Sequence, residues 1–393
     1  MTDLPHSADA VVVGGGILGA ATARALALAG MKPLLLEARA FGGAVTGASL
    51  AAIGTHMHGI EEYPLLRHAG QLWSDLADAT GNPFEYNRQG KLCYILHPED
   101  SAVGADWVAR ERALGAEVAL LTPEEARERE PLMTGPLIGA TWAPDTATVN
   151  PFLGLRTVLR LAREAGTIAL ANTPVTGLRI DGGRIAGVET SRGPVSSRHV
   201  VLTGGPWTAR LAAMAGIALP IRPRQAQCLA SMRQPAGTIR RVISACERAG
   251  GVDSGYTQIQ QAASGQVLFN TVTAPFDPPE GAQDHIHEVP PGFVLESIET
   301  LLMLFPSLAA QPLLRSWVRF EGVTPDSRFL AGSLPLPGLH VAAGDNGSGY
   351  CRALMLAEHL AAAVTGTGGL PADLAIRASR LYAPMRFAER EAA

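Results

Sequence analysis

At 393 residues the chain is longer than one compact core usually organises, which argues for two domains or one large domain with an insertion. Apolar residues at 47% and charged residues at 17% exclude a disordered chain. A formal charge of −4 gives no basis for nucleic acid or an anionic membrane as partner. The chain opens on a buried strand, Ala10-Val11-Val12-Val13, followed at once by Gly14-Gly15-Gly16-Ile17-Leu18-Gly19, which matches G-x-G-x-x-G. An alanine-rich helix runs to Gly30, and a second strand, Pro33-Leu34-Leu35-Leu36, ends in Glu37. In that frame Gly14 permits the tight turn, Gly16 lets backbone approach a pyrophosphate, and Gly19 lets helix and strand pack closely. The helix N-terminus attracts phosphate, with Ile17 and Leu18 in its first turn. Glu37 can accept hydrogen bonds from a ribose diol, with Ala38 and Arg39 beside it, and an acid here argues against a 2′-phosphate.

Residues 41–54 are small, glycine-rich and almost uncharged, as expected of a stretch lying against a flat ligand. Thr46 and Ser49 can donate to phosphate oxygens, and Ser49 can equally cap a helix. His56 and His58 follow, either near a redox ligand or as satisfied structural histidines. A helix over 65–80, a strand at Lys91–Leu96 and a charged helix after Thr122-Pro123-Glu124-Glu125 come next, the run Glu124 to Glu130 reading as a solvated face. Val149-Asn150-Pro151 starts another helix, and short strands follow at 168–170, 175–180, 184–189 and 199–203. Residues 221–320 bring further strand signals and a helix near 295–304. The strand 340–343, the loop Gly344-Asp345-Asn346-Gly347-Ser348-Gly349 and a helix from Tyr350 return to the opening logic.

The four cysteines, Cys93, Cys228, Cys246 and Cys351, lie far apart without C-x-x-C, so neither metal ligation nor a disulfide framework is expected. The polar N-terminus and the lack of an apolar run of ~18 residues point to a cytoplasmic protein without a membrane span.

These blocks, with Gly47-Ala48-Ser49, Thr203-Gly204-Gly205-Pro206-Trp207, Pro223 to Gln227 and Trp317 through Thr324-Pro325-Asp326, resemble the FAD-dependent amine and amino-acid oxidoreductases. Glycine oxidase, the sarcosine oxidase β-subunit and the D-amino acid, opine and hydroxyproline dehydrogenases form this group. The resemblance implies an α/β fold: a Rossmann-like FAD-binding domain (1–75, 146–220 and 321–393) interleaved with an antiparallel-sheet α+β substrate domain (76–145 and 221–320). It implies that Val175 meets the adenine through its backbone, that Gly204, Gly205 and Trp207 line the dinucleotide, and that Gly344–Tyr350 lies at the pyrimidine end of the flavin. The implied reaction oxidises the C–N bond of an amino acid or secondary amine, with hydride lost to flavin and the imine then hydrolysed.

Single-chain sarcosine oxidases attach FAD through a cysteine where this chain has Arg319, so non-covalent FAD is expected. Glycine oxidase-like members bind the substrate carboxylate with an arginine near the position of Glu321. Arg319, on the same face of a strand, can take over that role, with Arg224 and Arg328 as weaker candidates, whereas Glu321 can meet a cationic group. His56, Glu321 and Tyr256 are the candidate bases. Only Lys32 and Lys91 are lysines against 30 arginines, and the strand expected above the flavin, Gln266 to Phe269, holds none. A dehydrogenase serving as catalytic subunit beside a second, cofactor-bearing subunit is therefore expected; the alternative is a self-contained oxidase producing hydrogen peroxide. A nicotinamide-dependent dehydrogenase is disfavoured by the 344–349 block.

Overall fold

The computed structural model describes residues 3–246, 256–272 and 278–388, so the outer ends of the expected FAD segments, 1–2 and 389–393, lie outside the described residues. β1 (Ala10–Val13), α1 (Ile17–Leu28) and β2 (Pro33–Leu36) form the opening unit. Both strands are fully buried, as their unbroken apolar sequence requires of strands covered on two faces. They sit centrally in a six-stranded sheet ordered Leu330–Ser333, Leu339–Ala343, Val200–Leu202, β1, β2, Ile168–Leu170. All neighbours are parallel except the first pair. One face is covered by α1 and the helices Tyr63–Thr80, Pro151–Glu164 and Gly349–Thr365, whose apolar stripes meet around Leu26, Leu65, Trp73, Val158 and Met355. On the other face Val11, Val13, Leu34 and Leu36 pack against the three-stranded meander formed by Val175–Asp181, Arg184–Thr190 and Gly193–Ser196.

A second, eight-stranded sheet is ordered Leu313–Val323, Arg222–Arg233, Gln266–Val272, Tyr256–Gln261, Val242–Ala245, Lys91–Ile95, Gly139–Ala143, Ala119–Leu121. It is antiparallel but for one seam, where Val242–Ala245 runs parallel to Lys91–Ile95. These two strands come from segments about 150 residues apart in the chain, so no tight hairpin imposes an antiparallel direction on them. The fold class is thus mixed α/β, with a parallel nucleotide-type sheet and a largely antiparallel second sheet.

Local signals are realised where the chemistry is local. Asn150 accepts the N–H groups of Phe152 and Leu153 at 3.1 and 3.2 Å, and Thr122 with Glu125 forms a reciprocal capping box. Glu130, read as part of a solvated face, is instead buried. The N–H groups of Arg240 and Arg241 bond its Oε2 at 2.7 and 2.9 Å, and burial pushes the carboxyl up to about 7. All four cysteines are buried and none is in a disulfide. Among the described residues no helix is long and apolar enough to cross a membrane.

Candidate active site

The site opens at the C-terminal ends of the parallel strands, where α/β sheets present their ligands. β1 ends at Val13 and the chain turns at Gly14, whose φ of +116° is a conformation that side chains other than glycine rarely adopt. Its N–H donates to the Leu36 carbonyl at 2.8 Å, locking the turn onto β2. A β-carbon on Gly19 would overlap the Gly14 carbonyl oxygen, so Gly19 is what lets α1 cross the turn so closely. At Gly16 the same β-carbon would meet only Thr46 Oγ1, at 3.0 Å. Two of the three motif glycines thus serve the chain itself, while Gly16 lines the cleft with the Thr46 hydroxyl as its one close neighbour. Glu37 stitches the unit together: its carboxylate accepts the Gly15 N–H at 2.7 Å and the Arg39 N–H at 2.8 Å.

From this turn a cleft of about 330 Å³ runs past Glu37 and the 42–46 loop to Gly347 and Tyr350, a volume suited to small-molecule binding. Of the expected cofactor residues, Gly14, Gly16, Ile17, Leu18, Glu37, Ala38, Arg39, Thr46, Ser49 and Val175 line it. So do Gly204, Gly205, Trp207, Asp345, Gly347, Gly349 and Tyr350, together with Arg319 and Glu321. Gly19, Ala48, Gly344, Asn346 and Ser348 do not. Gly19 is spent on packing, and the Ala48 carbonyl accepts Trp317 Nε1 at 3.0 Å and Arg319 Nη1 at 3.3 Å. Asn346 turns its side chain back to the Gly344 carbonyl and Thr324, and Ser348 donates to the Asp345 carbonyl at 3.1 Å. Thr46 and Ser49, expected to donate to phosphate, also serve the backbone: Thr46 Oγ1 accepts the Ile17 N–H at 3.0 Å and Ser49 Oγ the Ala51 N–H at 3.0 Å. Gly42 to Val45, from the stretch expected to lie against a flat ligand, and Thr203 line it as well, while Leu211 and Phe329 join the wall without a signal in the sequence. Side-chain-free backbone at Gly14–Gly16, a helix N-terminus and a carboxylate at the end of β2 fit a dinucleotide with an unphosphorylated ribose.

At the far end lies a buried charge cluster. Arg319 donates from Nε and Nη2 to Glu321 Oε1 at 3.0 and 2.8 Å, and Arg224, opposite Glu321 in register, donates to Oε2 at 2.8 Å. Arg319 and Glu321, expected to divide anionic and cationic substrate recognition, therefore bond one another. Burial opposes the Glu321 charge, but Arg319 and Arg224 outweigh it and hold the carboxyl below its usual range. Asp345 accepts the N–H groups of Gly347 and Gly322 at 3.0 and 3.3 Å. Burial, reinforced by the neighbouring Glu321 charge, raises its carboxyl above the ordinary value.

A smaller cavity of about 100 Å³ adjoins the cleft and shares Ser49, Arg319, Gly347 and Tyr350 as walls. His56 is on its lining, clamped by Glu111 on Nδ1 and Thr141 on Nε2, both at 2.7 Å. Burial lowers its basicity, yet hydrogen bonds and charge from Cys93 and Glu111 prevail and push it up to about 9. Tyr256 lines neither cavity; its buried hydroxyl has no hydrogen-bond partner among the described residues, and burial with the Glu321 charge drives its acidity down. Lys91, one of the two lysines and the first residue of the strand read at Lys91–Leu96, lines this cavity. The seam between Lys91–Ile95 and Val242–Ala245 carries it there.

A family model described as "DAO: FAD dependent oxidoreductase" matches residues 9–363. Human mitochondrial sarcosine dehydrogenase is 31% identical over 226 residues, covering 56% of this chain but only 25% of that protein. Sarcosine oxidase subunit beta from an Arthrobacter species is 25% identical over 352 residues, covering 88% of this chain and 84% of the subunit. The crystal structure of L-proline dehydrogenase from P. horikoshii superposes with a TM-score of 0.89 at 26% identity, over 98% of this chain and 99% of that one.

Proposed function

The chain belongs to the DAO family of FAD-dependent oxidoreductases, and from that membership we propose that it oxidises the carbon–nitrogen bond of an amino acid or secondary amine as the catalytic subunit of a heteromeric dehydrogenase. The observation that carries the substrate class is the small polar cavity opening beside the cleft, whose described walls carry His56, His58, Lys91 and Arg319 and no carboxylate. Gly14–Leu18, Glu37 and the 204–207 and 345–350 loops would hold FAD, which when bound supplies the acceptor for the hydride.

The substrate ammonium must lose a proton before the neighbouring carbon can give up hydride, and the chain's own groups differ in their ability to take it. His56, pushed up to about 9, is already protonated at neutral pH. Tyr256 holds its proton and Glu321 is tied down by two arginines. Asp345 lines the cleft with a raised carboxyl and lone pairs left on both oxygens, which makes it the proton acceptor of this reading. Anaerobic mixing with N-methyl amino acids, cyclic imino acids and the matching amines tests the proposal. Bleaching of the flavin by the first two classes is expected; a flavin that no amine or amino acid reduces would end it.

No cysteine or histidine lines the cleft among the described residues. The protein should therefore purify yellow and release all its flavin into the supernatant on acid precipitation; flavin left on the pellet would demonstrate a covalent bond. The coverage of a sarcosine oxidase beta subunit supports a place beside another subunit, to which the reduced flavin would pass its electrons. Substrate-reduced protein mixed in parallel with air-saturated buffer and with a dye acceptor should reoxidise far faster with the dye. Equal rates would make the chain a self-contained oxidase, a reading that the placement of Lys91 favours, since a fixed cation can stabilise developing superoxide.

A further inference from the structure

We propose that Lys91 binds the substrate carboxylate in the smaller cavity, so that the chain selects short anionic amines through a lysine and not through Arg319; this rests on the amine-oxidation reading above. Arg319 is poorly placed to serve. Its Nε and Nη2 are taken by Glu321, which Arg224 shares, and an Nη1 hydrogen by the Ala48 carbonyl, so three of its five N–H donors are committed before any ligand arrives. Glu321 and Asp345 both line the cleft with Arg319, so a carboxylate there would meet two further carboxyls.

The adjoining cavity has the opposite character. Its described walls include Ser49, Thr146, Ser244, Gln258, Ser348 and the Tyr350 edge, with no acidic residue. The Lys91 ammonium donates one long bond, 3.5 Å, to the His56 carbonyl, and no carboxylate lies within ion-pair distance of it among the described residues. Three N–H donors on a half-buried ammonium are thus served by a single weak acceptor, an arrangement that an anion completes. The histidines cannot compete for its charge: His56 is pinned by Glu111, and burial, with Arg352 and Lys91 nearby, keeps His58 neutral, leaving it a hydrogen-bond partner. The stem of Lys91 is fixed by strand pairing on both sides, to Ala143 and to Val242. Because the two cavities share Ser49, Arg319, Gly347 and Tyr350, a ligand held at one end by Lys91 can reach into the cleft with its amine end.

The test exploits the rarity of lysine. A brief pulse of an amine-acylating succinimidyl ester on the FAD-loaded protein modifies Lys91 and the exposed Lys32, the only two lysines, and peptide mass spectrometry reads each separately. Methoxyacetate, which has the outline of N-methylglycine but no amine, should shield Lys91 and leave Lys32 unchanged, while neutral methoxyacetamide should shield neither. Protection by both compounds alike, or none by methoxyacetate at concentrations that perturb the flavin spectrum, would overturn the proposal. In parallel, Lys91→Met should weaken methoxyacetate at least about tenfold, as loss of a charged hydrogen-bond partner does. Lys91→Arg should stay within about threefold, since charge and donors persist. Equal affinities in all three proteins would also overturn it. A protein reduced by N-methyl amino acids with Lys91 unprotected loses this inference and keeps the amine-oxidation reading. One that binds methoxyacetate at Lys91 but is reduced by no amine keeps the binding site and loses that reading.

Discussion

Gly19→Val will leave little folded protein to assay, whereas Gly16→Val, three residues away in the same motif, will fold and lose its flavin. A side chain at position 19 collides with the Gly14 carbonyl and then with Thr203 Oγ1, so its first obstacle is backbone that no rotamer change can clear. Relief requires α1 to lift from the sheet, which would open the core around Ala20, Ala23 and Leu26. The cost should exceed the roughly 1–3 kcal/mol of ordinary overpacking, because both surfaces are rigid. At Gly16 the backbone is extended, φ −77° and ψ −178°, which any residue adopts, and the only near neighbour is the Thr46 hydroxyl. Valine there sacrifices a helix-cap preference worth about 1 kcal/mol and occupies the space a pyrophosphate needs. Soluble yield, circular dichroism and flavin absorbance per chain read the two effects apart. A Gly19→Val protein melting with wild type, or a Gly16→Val protein with full flavin, would each refute its half.

Glu321→Ala should be the most damaging change in the far end of the site. It leaves the guanidinium groups of Arg319 and Arg224 facing one another in a buried setting without their shared counter-ion. Removing one partner of a buried ion pair costs about 3–5 kcal/mol, more than the pair itself contributes, because the remaining charge stays desolvated. Asp345 limits the loss: freed from Glu321, it ionises more readily and its charge acts on Arg224. Glu321→Ala combined with Asp345→Asn should therefore cost more than the sum of the single changes. Arg319→Ala should be milder, since Arg224 still pairs with Glu321. Urea unfolding of the set checks the order. A Glu321→Ala midpoint equal to wild type would show that the arginines are solvated in a way their burial denies.

The opening nucleotide unit was legible because its requirements are local. A strand, a turn that only glycine can make, a helix start and a terminal acid fall within thirty residues, and each leaves its mark on residue type. What Glu37 does in the fold was not legible: a carboxylate at the end of β2 suits a ribose, but nothing in its neighbours says that it also accepts the Gly15 and Arg39 N–H groups. The two-residue spacing of Arg319 and Glu321 correctly put both on one strand face. Their mutual pairing depends on Arg224, nearly a hundred residues earlier, and so on a strand register that sequence pattern does not encode. Lys91 is the sharpest case. Its strand was legible in the sequence, yet what the strand faces was decided by a partner segment, Val242–Ala245, far downstream.

That seam also sets an order of assembly. As the chain leaves the ribosome, Lys91–Ile95 can pair at once with Gly139–Ala143, but its other edge has no partner until Val242–Ala245 emerges, after the whole 146–220 stretch. Closing so long a loop is entropically slow, and an open edge rich in Leu, Cys, Tyr and Ile is prone to pair with other chains in the interval. The lysine at the start of that edge therefore has a second effect during synthesis, as a charge that discourages such pairing until the late strand arrives to cover it.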